Sequence, residues 1–306
     1  MQINSAVVRA AQYIFFGNYF YGICALALCI ESSLQRDMPL NSLLFYIFIF
    51  CVTVLYYTRA YITEKKSGSG NTRTDWYWRH RRFVFFSQVV LTIVALIYPI
   101  KLFTDQPGFL FELTNLQWAM LLVFPVTAAL YYGSSHPYLG RYRLRNIGWL
   151  KPFLIGFVWA GLVTIYPFVF ATIEDRSEFI PDWQAGFLFT KNFMFITVLC
   201  IMFDIKDYAA DHNRQLKTFV VKAGLRRTIF TILIPLCILG LASYLVYAAI
   251  RSFSLARILL NVIPFLPLIA VAYSMHRRKS IFYYLVVIDG LMLVKALCGS
   301  LGVLLR

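Results

Sequence analysis

Apolar runs recur along this chain at roughly 13–30, 40–62, 83–103, 115–133, 150–172, 187–205, 228–250, 256–274 and 280–303. Each has about the length a helix needs to cross the ~30 Å hydrocarbon core of a bilayer. Lipid offers no partner to a backbone N–H or C=O, so every such run must be helical. No alternation of the kind a membrane β-barrel needs is visible. The sequence therefore predicts an all-α, polytopic membrane bundle of nine transmembrane helices, forming a single domain over 1–306. Composition agrees: of 306 residues, 60% are hydrophobic and 14% charged, against about 45–50% and about 25% in soluble domains. The net charge of +15 has no soluble basic domain to reside in, which excludes a nucleic-acid module. The six cysteines all fall in apolar runs without CxxC spacing, and the four histidines are scattered. Neither set reads as a metal site or a disulfide framework.

Charge placement predicts orientation. Most of the 29 Lys and Arg residues lie in the N-terminal tail and the even-numbered loops, around 63–82, 134–149, 206–227 and 277–279. The positive-inside rule puts those loops and the N-terminus in the cytoplasm and the C-terminus outside. Acidic residues such as Glu31, Asp37, Glu174 and Asp182 fall on the other side, and the expected location is a bacterial inner membrane. In the first long loop, Lys65 to Asn71 reads as linker and Trp76 to Arg82 as an aromatic-basic interfacial anchor.

One cytoplasmic stretch concentrates acid where the chain is otherwise basic: Asp204-Ile205-Lys206-Asp207-Tyr208-Ala209-Ala210-Asp211, directly after the sixth apolar run. On a continuous helix, spacings of three and four bring the three carboxylates within ~60° of one another. Such like charges repel, and a shared Mg²⁺ gives a helix a reason to keep them, because hard cations favour oxygen ligands. A solvated acidic patch is the plainer alternative. Arg214, Lys217 and Lys222 follow, and Lys151 opens the fifth run; these cations suit diphosphate oxygens. A greasy cavity beside them suits a long apolar tail, and the compound joining both features is a prenyl diphosphate.

The spacing Asp207-x-x-x-Asp211, followed by Lys217-Thr218 and Gly224, resembles the second aspartate-rich motif and adjoining loop of the UbiA prenyltransferase superfamily. Asp204, Leu150-Lys151-Pro152, Asp289-Gly290-Leu291 and the nine-span plan are similar as well. The resemblance implies a membrane-embedded prenyltransferase that moves an isoprenyl group to a hydrophobic acceptor, aromatic or a quinone precursor. It implies Asp207 and Asp211 as catalytic residues, with Mg²⁺ held by Asp204, Asp207 and Asp211. Arg59, Arg214, Lys217 and Lys151 would hold the diphosphate. The superfamily's first motif, roughly NxxxDxxxD at the end of the second span, is absent. The region reads Tyr56-Tyr57-Thr58-Arg59-Ala60-Tyr61-Ile62-Thr63-Glu64, with Glu64 its single acid and Arg59 where metal-binding residues would stand. A guanidinium can neutralise phosphate without a metal. The departure leaves a second expectation, a UbiA-like protein that binds isoprenoid or lipid without transferring it. Asp289 and Lys295 lie inside the last run, where charge is costly. Asp289 is expected to pair with another helix, and Lys295 to snorkel outward.

Overall fold

The computed structural model describes residues 5–62, 72–132, 144, 147–180, 182–213, 216–277 and 279–305. Every regular element among them is helical, as the apolar runs predict. The order is α1 (Ser5–Phe16), α2 (Tyr19–Gln35), α3 (Leu43–Ile62), α4 (Thr72–Arg79), α5 (Arg81–Asp105), α6 (Phe109–Glu112) and α7 (Asn115–Tyr132). The chain continues through α8 (Lys151–Glu174), α9 (Ala185–Lys206), α10 (Tyr208–Asn213), α11 (Phe219–Ala223), α12 (Leu225–Ile250), α13 (Leu255–Ser274) and α14 (Tyr283–Leu304). It falls into two compact units, residues 1–27 with 41–112, and residues 28–40 with 113–306.

Among the described residues, seven helices are long and apolar enough to cross a membrane, or eight if the bent pair α1–α2 makes one span. The protein is thus an integral membrane protein, and the described residues give seven or eight of the nine predicted spans. At 1.5 Å per residue, the 18 residues of α7 extend ~27 Å, short of the hydrocarbon core. The predicted first span is not straight either: α1 and α2 meet at 63°.

That bend has a built cause within the first unit. A Cβ on Gly17 would come 2.4 Å from the Tyr13 carbonyl, so the turn leaves room only for glycine. Asn18 follows with φ 65°, a left-handed geometry that asparagine tolerates better than most residues. Its buried amide donates to Thr58 Oγ1 at 3.1 Å and to the Tyr77 hydroxyl at 2.9 Å. Arg73 donates to the Asn18 side-chain oxygen and to the carbonyls of Phe15 and Phe16. Tyr77 also donates to the Phe16 carbonyl, at 2.8 Å. These are the carbonyls a helix end leaves unsatisfied, and a cation there complements the helix dipole. The predicted aromatic-basic anchor therefore divides in two. Arg73, Trp76 and Tyr77 are buried under the break, while Trp78, Arg79, Arg81 and Arg82 stay exposed. Burial pushes the Tyr77 hydroxyl up to about 12, against the pull of Arg73, so it remains a donor at any ordinary pH.

In the second unit the helices approach closely at small residues, as lipid-embedded helices tend to. A Cβ on Gly156 of α8 would lie 2.2 Å from Thr197 Oγ1 of α9, and one on Gly240 of α12 would lie 3.0 Å from Met194. Widened helical turns occupy Gly161–Ile165, Ile229–Leu233 and Tyr283–Ile288. The first two directly precede Pro167 and Pro235, whose rings exclude the ordinary i−4 bond.

Four ionised side chains are buried together in this unit. Glu31 accepts from Lys295 at 2.7 Å and from Lys191 at 3.2 Å, all three at most 2% exposed. Lys191 also donates to Asn261 at 2.7 Å, and Asn261 accepts in turn from Gln35 at 2.9 Å. Arg257 donates to the Gln35 carbonyl at 2.7 Å and lies over the Phe253 ring. Lys295 therefore does not snorkel. A carboxylate 264 positions away reaches it, and Gly299 makes the room, since a Cβ there would meet Glu31 at 2.5 Å.

Candidate functional site

At the opposite end of α9 from its start at Ala185 stands Asp204, 0% exposed. Lys151 opens α8 beside it, and its ammonium donates to Asp204 Oδ1 at 2.7 Å. Gly156 against Phe193 and Thr197 sets the close spacing of α8 and α9 that lets this pair form. The turn before Lys151 packs on the next loop: a Cβ on Gly148 would be 2.7 Å from the backbone of both Lys217 and Thr218. Thr218, buried, caps α11 by accepting from Val221 N. Gly224, at φ 77°, then turns the chain into α12. Lys217-Thr218 and Gly224 thus serve as cap and turn, and they hold Lys217 at the same pole as Lys151 and Asp204.

Asp204 and Asp207 do not share one helical face as the spacing predicts. α9 ends at Lys206, and Asp207 is its C-cap with φ −88° and ψ 6°. At that ψ the helical repeat is interrupted before α10 begins. Asp204 turns inward to Lys151. Asp207 turns outward and pairs with its neighbour Lys206 at 3.2 Å. Lys206 lies over the rings of Phe203 and Tyr284, and Tyr284 in turn lies within electrostatic reach of Asp207. Asp289 is buried in α14.

The other predicted residues lie apart or outside the described chain. Asp211 is in α10, and its side chain is not among those described. Arg214 and Glu64 lie outside the described residues. Arg59 is exposed in the last turn of α3, in the first unit. Among the described residues, no group of three or more His, Cys, Asp or Glu side chains could hold a metal ion. Magnesium favours carboxylate oxygens left free for it and its waters, whereas Asp204 and Asp207 each carry an ammonium. Of the expected Mg²⁺ ligands, Asp204 and Asp207 are thus each paired with a lysine, and the Asp211 side chain is not among those described.

The residues that sequence reasoning missed are Glu31, Lys191, Asn261 and Arg257. Glu31 reads in the sequence as a loop charge of the outer side. Lys191 stands seven residues into α9, roughly 9 Å along its axis. A lone charge so flanked by phenylalanines is the signal of a buried partner.

No protein-family model matches this sequence, and no curated protein is similar to it in sequence. The fold does have a solved counterpart, in work on digeranylgeranylglyceryl phosphate synthase in membranes. The two structures align with a TM-score of 0.54 over 97% of this chain and 99% of that one, at 13% identity. At that identity the likeness is one of fold.

Proposed function

We propose that this protein is a membrane-embedded prenyltransferase of the UbiA type, moving an isoprenyl group from a prenyl diphosphate to a hydrophobic acceptor, aromatic or lipid-like. The observation that carries this reading is the end-to-end fold likeness to a synthase studied in membranes, with the Asp204–Asp211 stretch at the end of α9. On this reading the membrane-spanning helices serve one domain, and the pole holding Asp204 faces the cytoplasm, where most of the chain's Lys and Arg lie. Lys151 and Lys217 stand at that pole, and we assign Arg214 to the same diphosphate. Asp207, exposed beside Lys206, and Asp211 are the proposed catalytic carboxylates, while Asp204 and Asp289 position Lys151 and the end of α9. The departing diphosphate's charge falls on these cations, with Mg²⁺, which Asp204, Asp207 and Asp211 would hold, as the expected cofactor. Charge-assisted bonds to an oxyanion strengthen as negative charge collects on it, which lowers the barrier to C–O cleavage.

The paired state of Asp204 and Asp207 favours one other reading, an isoprenoid-binding protein that does not turn over. Purified protein given a radiolabelled prenyl diphosphate and a panel of hydrophobic acceptors, with and without Mg²⁺, separates the two. Pyrophosphate release that Asp207→Ala and Asp211→Ala each abolish supports transfer. Tight binding without release across the panel, unaltered in both variants, leaves the binding protein.

A further inference from the structure

The second unit has a further cavity, of about 270 Å³, at the end of α9 opposite Asp204. Its walls are Phe168 and Thr172 of α8, Met38 and Pro39 after α2, and the segment after α8 with Asp175, Glu178 and Ile180. None of these residues figures in the proposed transferase.

Two features of the wall carry charge of opposite sign. Arg36 lines the cavity with its side chain 4% exposed and its guanidinium 4.1 Å over the Phe168 ring. One nitrogen, Nη2, donates to Asp182 at 3.2 Å. The other two, Nε and Nη1, are buried without a hydrogen-bond partner among the described residues. Burial pulls this guanidinium below its usual value and Asp182 offsets only part of the pull. Donors left in that state are costly, and an oxyanion relieves the cost. The same cavity presents Asp175 and Glu178, both exposed. With Asp182 engaged by Arg36, these two carboxylates give the mouth a surplus of negative charge, which favours a cation. At the rim, Ile180 is 67% exposed, and nearby Trp183 is 69% exposed. Such side chains at the ends of membrane helices mark the level of the lipid headgroups.

An anion alone would meet Asp175 and Glu178, and a cation alone would leave Arg36 unsatisfied. A group bearing both charges meets both walls. We propose that this cavity binds a zwitterion with an oxyanion beside an ammonium, the phosphoethanolamine group, through Arg36 on one side and Asp175 with Glu178 on the other. The group comes either as the headgroup of a phospholipid or as a free small molecule. The cavity is separate from the proposed transferase pole by the length of α9, so either assignment stands or falls alone.

The test is native mass spectrometry of the full chain released from bilayer discs of equal phosphatidylethanolamine and phosphatidylglycerol, with soluble phosphoethanolamine as competitor. The wild type is expected to retain the ethanolamine lipid about tenfold over the glycerol lipid, on the order of one charge-assisted hydrogen bond. Asp175→Asn with Glu178→Gln changes only exposed side chains, so the fold is kept, and the preference is expected to vanish. Arg36→Gln should lower retention of both lipids. Competition by soluble phosphoethanolamine assigns the site to the headgroup chemistry itself, and its failure assigns the site to the intact lipid. Equal retention of the two lipids by the wild type overturns the proposal, as does a preference unchanged in the double variant.

Discussion

The two poles of α9 hold charge in opposite ways. Toward its start, Glu31 spends both carboxylate oxygens on Lys191 and Lys295, and all three side chains are at most 2% exposed. Toward its end, Asp204 is as deeply buried, but its partner Lys151 is 23% exposed. Three positions on, the charge has reached the surface: Asp207 is 42% exposed and pairs with Lys206. A saturated, dry cluster has nothing left to offer a ligand and acts as a fastener between α2, α9 and α14. A solvent-reaching lysine beside a buried carboxylate can turn its ammonium to a phosphate oxygen. The difference separates structural charge from charge available to a substrate, though both lie on one helix.

Breaking the fastener should have the largest effect on stability. Glu31→Gln leaves two lysines facing each other in an apolar interior, and removing one partner of a buried ion pair costs about 3–5 kcal/mol. Thermal unfolding in detergent should show that loss. The triple change Glu31→Leu, Lys191→Met and Lys295→Met removes the charges together and should recover most of it, because apolar replacements of a whole buried cluster are often neutral. A triple variant no more stable than Glu31→Gln would mean the charges themselves serve a function. Gly299→Ala attacks the same place by volume. Its new methyl meets Glu31 at 2.5 Å, and such overpacking costs about 1–3 kcal/mol.

The helices themselves were legible in the apolar runs, because a span's length is a local property. The break between α1 and α2 was not. Gly17-Asn18 inside an apolar run looks harmless, and its geometry is held by Thr58, Arg73 and Tyr77, which lie 40 to 59 positions away from Asn18. The pairing of Glu31 with Lys295 spans 264 positions and was hidden for the same reason. At the candidate site, sequence picked out Lys151, Asp204, Asp207 and Lys217 as members of one pole. Helical spacing misplaced Asp207 relative to Asp204, since it presumes a continuous helix and α9 stops at Lys206.

The inner pole gives the next smaller effect on stability. Lys151→Met leaves the Asp204 carboxylate buried without its ammonium, and Asp204→Asn leaves Lys151 an uncharged partner. With solvent near Lys151, each should cost about 1–3 kcal/mol, less than Glu31→Gln in the same melting assay. A loss as large as that of Glu31→Gln would make this pair a second fastener and remove it from the site.

Asp207→Ala should change stability least, by at most about 0.5 kcal/mol, since exposed ion pairs contribute little. On the proposed function it should still lower turnover about 100-fold, the scale seen when one group stabilising a developing charge is removed. Stability and activity are thus expected to rank the two poles in opposite orders. The comparison sharpens if Asp207→Ala melts like the wild type and is inactive while Gly299→Ala melts early and, below its melting temperature, turns over normally. If instead activity follows melting temperature across all these variants, the charges at both poles only hold the fold, and the transferase chemistry must be sought away from Asp207.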